Sequence, residues 1–275
     1  MGIGLISILV FAAFEWQPMS AYTQALGTAS VAVAYGADGF LVNPAGLANE
    51  PFGMEFGATY ENHFGGLGVG LAGVTASFAK NFGNKGIALS VSDFGAKLEG
   101  DYSGRYSEKT IKLGYAMALT EKVSIGLSAN YFIFDEPRFG SKSALGIDLG
   151  MAARFYAKWR VGFVIHNLNA PKISGEQRDY ELPRHLAFGV ALKPFRQTET
   201  TVDFVKEFDR PLRIAFGQSV DFGNFAIAGG VSSESEFIQF GFGLLARFKF
   251  LEFQYGATVT PELPVTHTFT VKFRR

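Results

Sequence analysis

The sequence predicts an all-β protein, a transmembrane antiparallel β-barrel of about 14 strands with an N-terminal plug. Three observations carry that reading. Between Phe52 and Phe273 large apolar residues alternate with small or polar ones in segment after segment, each broken by turn residues, which is the pattern of strands with one apolar face. No apolar run reaches the ~18 residues of a membrane helix, so a membrane-spanning form has to be built from strands. The connections alternate in length, with short turns at one end of the strands and longer polar loops at the other, as in outer-membrane barrels.

Taken in chain order, residues 1–21 read as a signal peptide. Ile3 to Phe14 supply an apolar core, and Pro18, Ser20 and Ala21 suit the cleavage region. Residues 22–49 read as an N-terminal hatch, and 50–275 as the barrel. In 111–119 the apolar positions are Ile111, Leu113, Tyr115, Met117 and Leu119, with Lys112, Gly114, Ala116 and Ala118 between them. The same phase runs through 123–133, 145–155, 186–192, 212–216, 240–244 and 265–273. Short turns are expected at Thr120-Glu121-Lys122, Ala157-Lys158, Asp221 to Asn224 and Arg247 to Lys249. Long loops are expected at Gly95 to Ser107, Asp135 to Ser143 and Asn167 to Pro183. Aromatics near segment ends, among them Tyr60, Tyr131, Phe132, Phe134, Phe155, Tyr156, Trp159, Phe253 and Tyr255, suit interfacial girdles.

Periodicity alone does not choose between this barrel and a soluble β-barrel or sandwich whose apolar face points inward. Composition favours the membrane. Only 18% of the chain is charged, and the polar positions of the strands are mostly Gly, Ala, Ser and Thr, too sparsely charged for a solvated exterior. The 33 glycines and 29 phenylalanines fit pleated strands better than helices. Twenty-five basic residues balance 25 acidic ones, which leaves no basic footprint for nucleic acid. Without cysteine there is neither a disulfide nor a thiolate metal site.

Signals of chemistry are few. His63, His166, His185 and His267 show no metal-ligand spacing, and no nucleophile elbow, phosphate loop or dinucleotide glycine pattern stands in a strand-to-helix context. No enzyme activity and no cofactor are therefore expected. Charges predicted to face the lumen are Lys112, Asp148, Arg154, Asp203, Arg213 and Lys272, of which Asp148, Arg154, Asp203 and Arg213 are the candidate lumen polar residues. The stretch 27–48 is small and apolar, with Asp38 its one charge, and holds Asn43, Pro44, Ala45 and Gly46. On physical grounds those four form a turn. Placed before the first strand, the stretch could enter the lumen, where Ala187, Gly189, Ala191, Ala226, Ala228 and Gly230 leave room.

Gly27 to Ala48, ending in Asn-Pro-Ala-Gly-Leu-Ala, resembles the N-terminal signature of FadL-like and PorV/PorQ-type outer-membrane proteins. Ala144 to Gly150, Val161 to Leu168, Leu182-Pro183 and Thr266 to Phe273 resemble PorV-type segments in the same order, so the likeness covers nearly the whole chain. The resemblance implies a barrel with an N-terminal hatch in the outer membrane of a Gram-negative-type bacterium. It implies outer-membrane lipid and the barrel-assembly machinery as partners, with Phe273 the assembly signal. For function it implies protein secretion or surface attachment of the type IX kind, with secreted proteins or secretion components as partners. The alternative it implies is a FadL-like channel for a hydrophobic ligand.

Overall fold

The computed structural model describes residues 14, 19–49, 53–68, 70–98, 103–137, 140–156, 158–174, 179–208, 210–235, 237–261 and 263–275. The expected signal peptide falls largely outside them. Three short helices come first: α1 (Ala21–Ala25), α2 (Gly36–Val42) and α3 (Gly46–Asn49). The strands follow as β1 (Met54–Asn62), β2 (Ala72–Asn81), β3 (Lys85–Leu98), β4 (Gly104–Ala118), β5 (Val123–Glu136), β6 (Gly140–Phe155) and β7 (Trp159–His166). A small two-stranded sheet, β8 (Lys172–Ile173) with β9 (Tyr180–Glu181), interrupts the series. Then come β10 (His185–Leu192), β11 (Thr198–Glu207), β12 (Leu212–Asp221), β13 (Phe225–Glu234), β14 (Phe237–Phe248), β15 (Leu251–Val259) and β16 (Thr266–Arg274).

Among the described residues, β1–β7 and β10–β16 close into one 14-stranded antiparallel barrel, with β1 paired to β16 from Glu55↔Arg274 to Asn62↔His267. Closure leaves no unpaired edge between first and last strand. The apolar phase of each strand points outward: Leu113, Leu145, Phe242 and Leu244 stay more than half exposed, while Lys112, Gly114 and Ala116 between them face inward. An exterior so apolar suits a barrel that meets lipid better than one that meets water.

Connections 82–84, 119–122, 156–158, 193–197, 222–224 and 249–250 form one rim, the short-turn rim. At the other rim the long connections are 63–71 and 167–184. Gly95 to Ser107 and Asp135 to Ser143, expected as loops, are mostly strand: β3 and β4 stay in register up to Leu98↔Gly104, and β5 and β6 up to Glu136↔Gly140. Their polarity reflects strands that outrun the apolar band. There, cross-strand ion pairs such as Arg105–Asp93 (2.7 Å) and Lys109–Asp135 (2.8 Å) replace lipid contact. Phe132 and Phe134 also depart from expectation, because the period of two turns both inward, where they are buried.

The wall is therefore uneven. β3–β6 run 14 to 16 residues, whereas β7 and β10 have eight each. Pairing of β6 with β7 stops at Leu149↔Ile165. Above that step the edge of β6 is covered by the following loop, through Leu168 N–H to the Ile147 carbonyl (2.8 Å) and the Asn169 side chain to the Leu145 carbonyl (2.7 Å).

Candidate functional site

The N-terminal segment lies against the inward faces of the strands, and its backbone is held by wall side chains. Thr270 Oγ1 accepts from Ala21 N–H (2.9 Å) and Gln254 Oε1 from Tyr22 N–H (3.1 Å). The Asp203 carboxylate accepts from Ser30 N–H (2.6 Å) and Val31 N–H (2.8 Å). Glu55 accepts from Ala37 N–H (2.9 Å), and its other oxygen pairs with Arg274 (2.6 Å). Small wall residues allow the approach: a Cβ at Gly126 would overlap the Pro44–Ala45 peptide, and one at Gly230 the Leu26 carbonyl.

The Asn43-Pro44-Ala45-Gly46 turn is tied to the barrel as well as to itself. Asn43 is fully buried; its Oδ1 accepts from Ala45 N–H (3.1 Å), a local turn bond of the kind asparagine favours. Its amide nitrogen donates to the carbonyls of Val31 (3.2 Å) and Met151 (3.2 Å). Ser124 Oγ reaches the Ala45 carbonyl (3.1 Å). Gly46 sits where a side chain would strike the Ala34 carbonyl.

Of the candidate lumen residues, Asp148 is the centre of a buried network. It pairs with Lys112 (2.8 Å) and His166 (3.2 Å), and accepts from Ser128 Oγ (2.9 Å) and Asn167 N–H (2.9 Å). Lys112 then donates to the Leu41 carbonyl (3.1 Å) and His166 Nε2 meets the Val42 carbonyl (2.9 Å). These are the last carbonyls of α2, which lack helical partners. Lys272 pairs with Asp38, whose own carboxyl burial pushes up, with Lys272 opposing that shift. Arg154 caps the Glu121 carbonyl at the short-turn rim (3.1 Å), and Arg213 lines a cavity near the opposite rim. Glu55, Gln254 and Thr270 escaped the sequence reading, although their inward phase would have marked them.

Two cavities flank the segment, both on the side of β10–β16. The one toward the long-loop rim is about 400 Å³ and is lined by Gln24 and Thr28 below and by Glu61, His63, Phe94 and Arg213 around it. The one toward the short-turn rim is about 550 Å³, lined by Tyr22, Leu26, Val33, Arg247, Gln254 and Lys272. Beside the upper cavity the tall wall of β3–β6 encloses an apolar cluster: Phe94, Tyr106, Phe132 and Phe134, roofed by Ile173 of β8 and by Leu182. The Phe14 ring is buried in it, edge-on to Phe132 at 4.9 Å, with Phe14 N–H donating to Glu108 (2.8 Å).

No protein-family model matches the chain, and no curated protein matches it. Solved structures do. A TodX monoaromatic hydrocarbon channel, the deltaS2 mutant, is 11% identical, with a TM-score of 0.72 over 94% of this chain and 98% of that one. The Pseudomonas putida toluene transporter TodX is 12% identical, with a TM-score of 0.69 over 95% and 98%. A Pseudomonas aeruginosa FadL homologue is 9% identical, with a TM-score of 0.64 over 93% and 98%. The chain thus has the fold of FadL-type transporter barrels. The likeness backs the FadL-like side of the resemblance and gives the PorV/PorQ side no support.

Proposed function

We propose that the chain is a non-enzymatic outer-membrane conduit for apolar small molecules, with residues 22–49 as the plug of its lumen. The apolar cluster inside the long-loop end of the barrel is the observation that carries the reading. A water-filled porin lines its lumen with polar groups, whereas here four aromatic rings, Phe94, Tyr106, Phe132 and Phe134, are buried inside the long-loop end. A site with that lining favours a hydrophobic or aromatic molecule. The plug excludes a wide aqueous pore, and the lipid-facing exterior supports the membrane location. The structural neighbours that transport toluene or monoaromatic hydrocarbons support the same solute class. The secretion and attachment role expected first has no comparable observation behind it.

Uptake of radiolabelled toluene, and in parallel of a long-chain fatty acid, by cells producing the protein tests the proposal. Faster uptake than in vector controls is expected, with loss of the gain in Phe132→Asp. Equal uptake with and without the protein for both solutes would overturn it.

A further inference from the structure

A carboxylate stands inside the apolar cluster at the long-loop end of the barrel. The inward phase of β4 carries Tyr106 and Glu108, and the register sets Glu108 directly between Phe94 of β3 and Phe134 of β5. Both side chains are buried, Tyr106 at 2% and Glu108 at 4% exposure. The Tyr106 ring is edge-on to Phe134 at 5.6 Å, and its hydroxyl donates to Glu108 Oε1. A buried carboxylate is costly unless donors reach it, and a hydrocarbon supplies none. A wall built to meet hydrocarbon alone would be better served by an apolar side chain at that position.

The second carboxylate oxygen shows what kind of group meets it. Glu108 Oε2 accepts from Phe14 N–H at 2.8 Å, while the Phe14 ring packs edge-on to Phe132 at 4.9 Å. One aromatic ring with one donor beside it fills the place that the wall offers. That place borders space on two sides. Leu71 and Phe94 of the cluster also line the cavity of about 400 Å³. Phe14 and Phe132 also line a small cavity of about 60 Å³, with Ser90, Ser92 and Thr110 among its other walls.

We propose that this is a binding site for an aromatic solute that carries a hydrogen-bond donor, a phenol or an aryl amine, and that Glu108 is the residue that selects it. The inference rests on the passage reading and narrows its solute class. Phe14 shows the pose: the ring of the solute lies against Phe132, and its O–H or N–H donates to Glu108 in place of the Phe14 amide. Phe14 belongs to the stretch that reads as a signal peptide, and removal of that stretch vacates the place in the processed chain. An ionised carboxylate only accepts, so Glu108 favours a donor over a methyl group. Toluene fits among the rings but cannot supply that bond. Tyr106 is a positioning residue, holding the other carboxylate oxygen.

Refolding the full chain in detergent keeps it unprocessed, so that Phe14 itself can be tested as the competitor. Equilibrium dialysis then compares phenol with anisole, its methyl ether, which keeps the ring and the oxygen and lacks the donor. Phe14→Ala is expected to bind phenol at least roughly tenfold more tightly than the unsubstituted chain. In that background, Tyr106→Phe/Glu108→Leu removes donor and acceptor together, which leaves neither buried alone. The ratio of phenol to anisole affinity is expected to fall at least roughly tenfold. Glu108→Gln, which keeps the shape, is expected to lower the ratio in the same direction by less, and Tyr106→Phe alone to leave most of it. A ratio that survives the loss of Glu108, one that falls as far with Tyr106→Phe alone, or phenol binding indifferent to Phe14→Ala would overturn the proposal. Cells that take up toluene through a protein whose ratio ignores Glu108 would keep the passage reading and lose this site. A Glu108-dependent ratio in a protein that passes neither toluene nor phenol would keep the site and count against the passage reading.

Discussion

The two sides of this barrel are built from the same alternating strands and do opposite things with their interior. On the β3–β6 side the strands are long and the described lumen is closely packed: α2 and α3 press on alanines, and Asp148, Lys112 and His166 form a buried network against the end of α2. On the β10–β16 side the strands are shorter, and cavities of about 400 and 550 Å³ remain above and below one thin segment. The difference teaches how one alternating wall can pack its interior on one side and leave space on the other.

The largest effect that would separate the two sides is removal of the segment itself. Deletion of 22–48 with the strands retained is expected to turn a nearly silent bilayer record into steady large conductance, because a 14-strand circumference without a plug is an aqueous pore. Unchanged conductance would place the segment outside the conduction path. Next in size is Gly126→Val on the packed side. Its side chain would collide with the Pro44–Ala45 peptide, and overpacking of this kind costs about 1–3 kcal/mol; thermal loss of the folded band on heat-modifiable gels should come several degrees earlier.

Asn43→Ala removes one bond within the turn and those that the side chain makes to Val31 and Met151. A loss of about 1–3 kcal/mol is expected from the groups left buried without a partner, read in the same melting assay. Arg105→Ala should give the smallest effect. The Arg105 side of its pair with Asp93 is exposed, and Asp93 keeps its bond from Ser107, so a change below about 1 kcal/mol is expected, and a larger one would mean that the upper β3–β4 ribbon is more than an extension of the wall.

Much of this was legible in the chain. The outward phase of Ile111, Leu113 and Tyr115, the barrel closure and the small residues facing the N-terminal segment all follow from a period of two and from side-chain size. Asp148 and Asp203 were marked as inward charges by the same rule. Lys112, which pairs with Asp148, was marked by that rule too, but the amides of Ser30, Val31 and Asn167 that the two carboxylates accept from carry no residue signature. Arg154 and Arg213 show the limit from the other side: phase fixes the face of a strand and says nothing about height in the barrel, so two inward arginines ended near opposite rims. Phe132 and Phe134 were placed by proximity to a strand end, when their even numbers beside outward Tyr131 and Ile133 already put them inside. The length of β3–β6 could not be read at all, since polar residues above the lipid look like loop.

The most direct measurement is protection of single cysteines by an apolar solute. Thr258→Cys lines the upper cavity, Ser219→Cys the lower one, and Ala116→Cys lies in the packed side. With the protein in lipid vesicles, a small thiol reagent should label the first two, and saturating toluene should slow both while leaving Ala116→Cys as unreactive as before. Toluene protection at Ala116→Cys, or none at Thr258→Cys and Ser219→Cys, would contradict a conduit that admits apolar molecules to the two cavities.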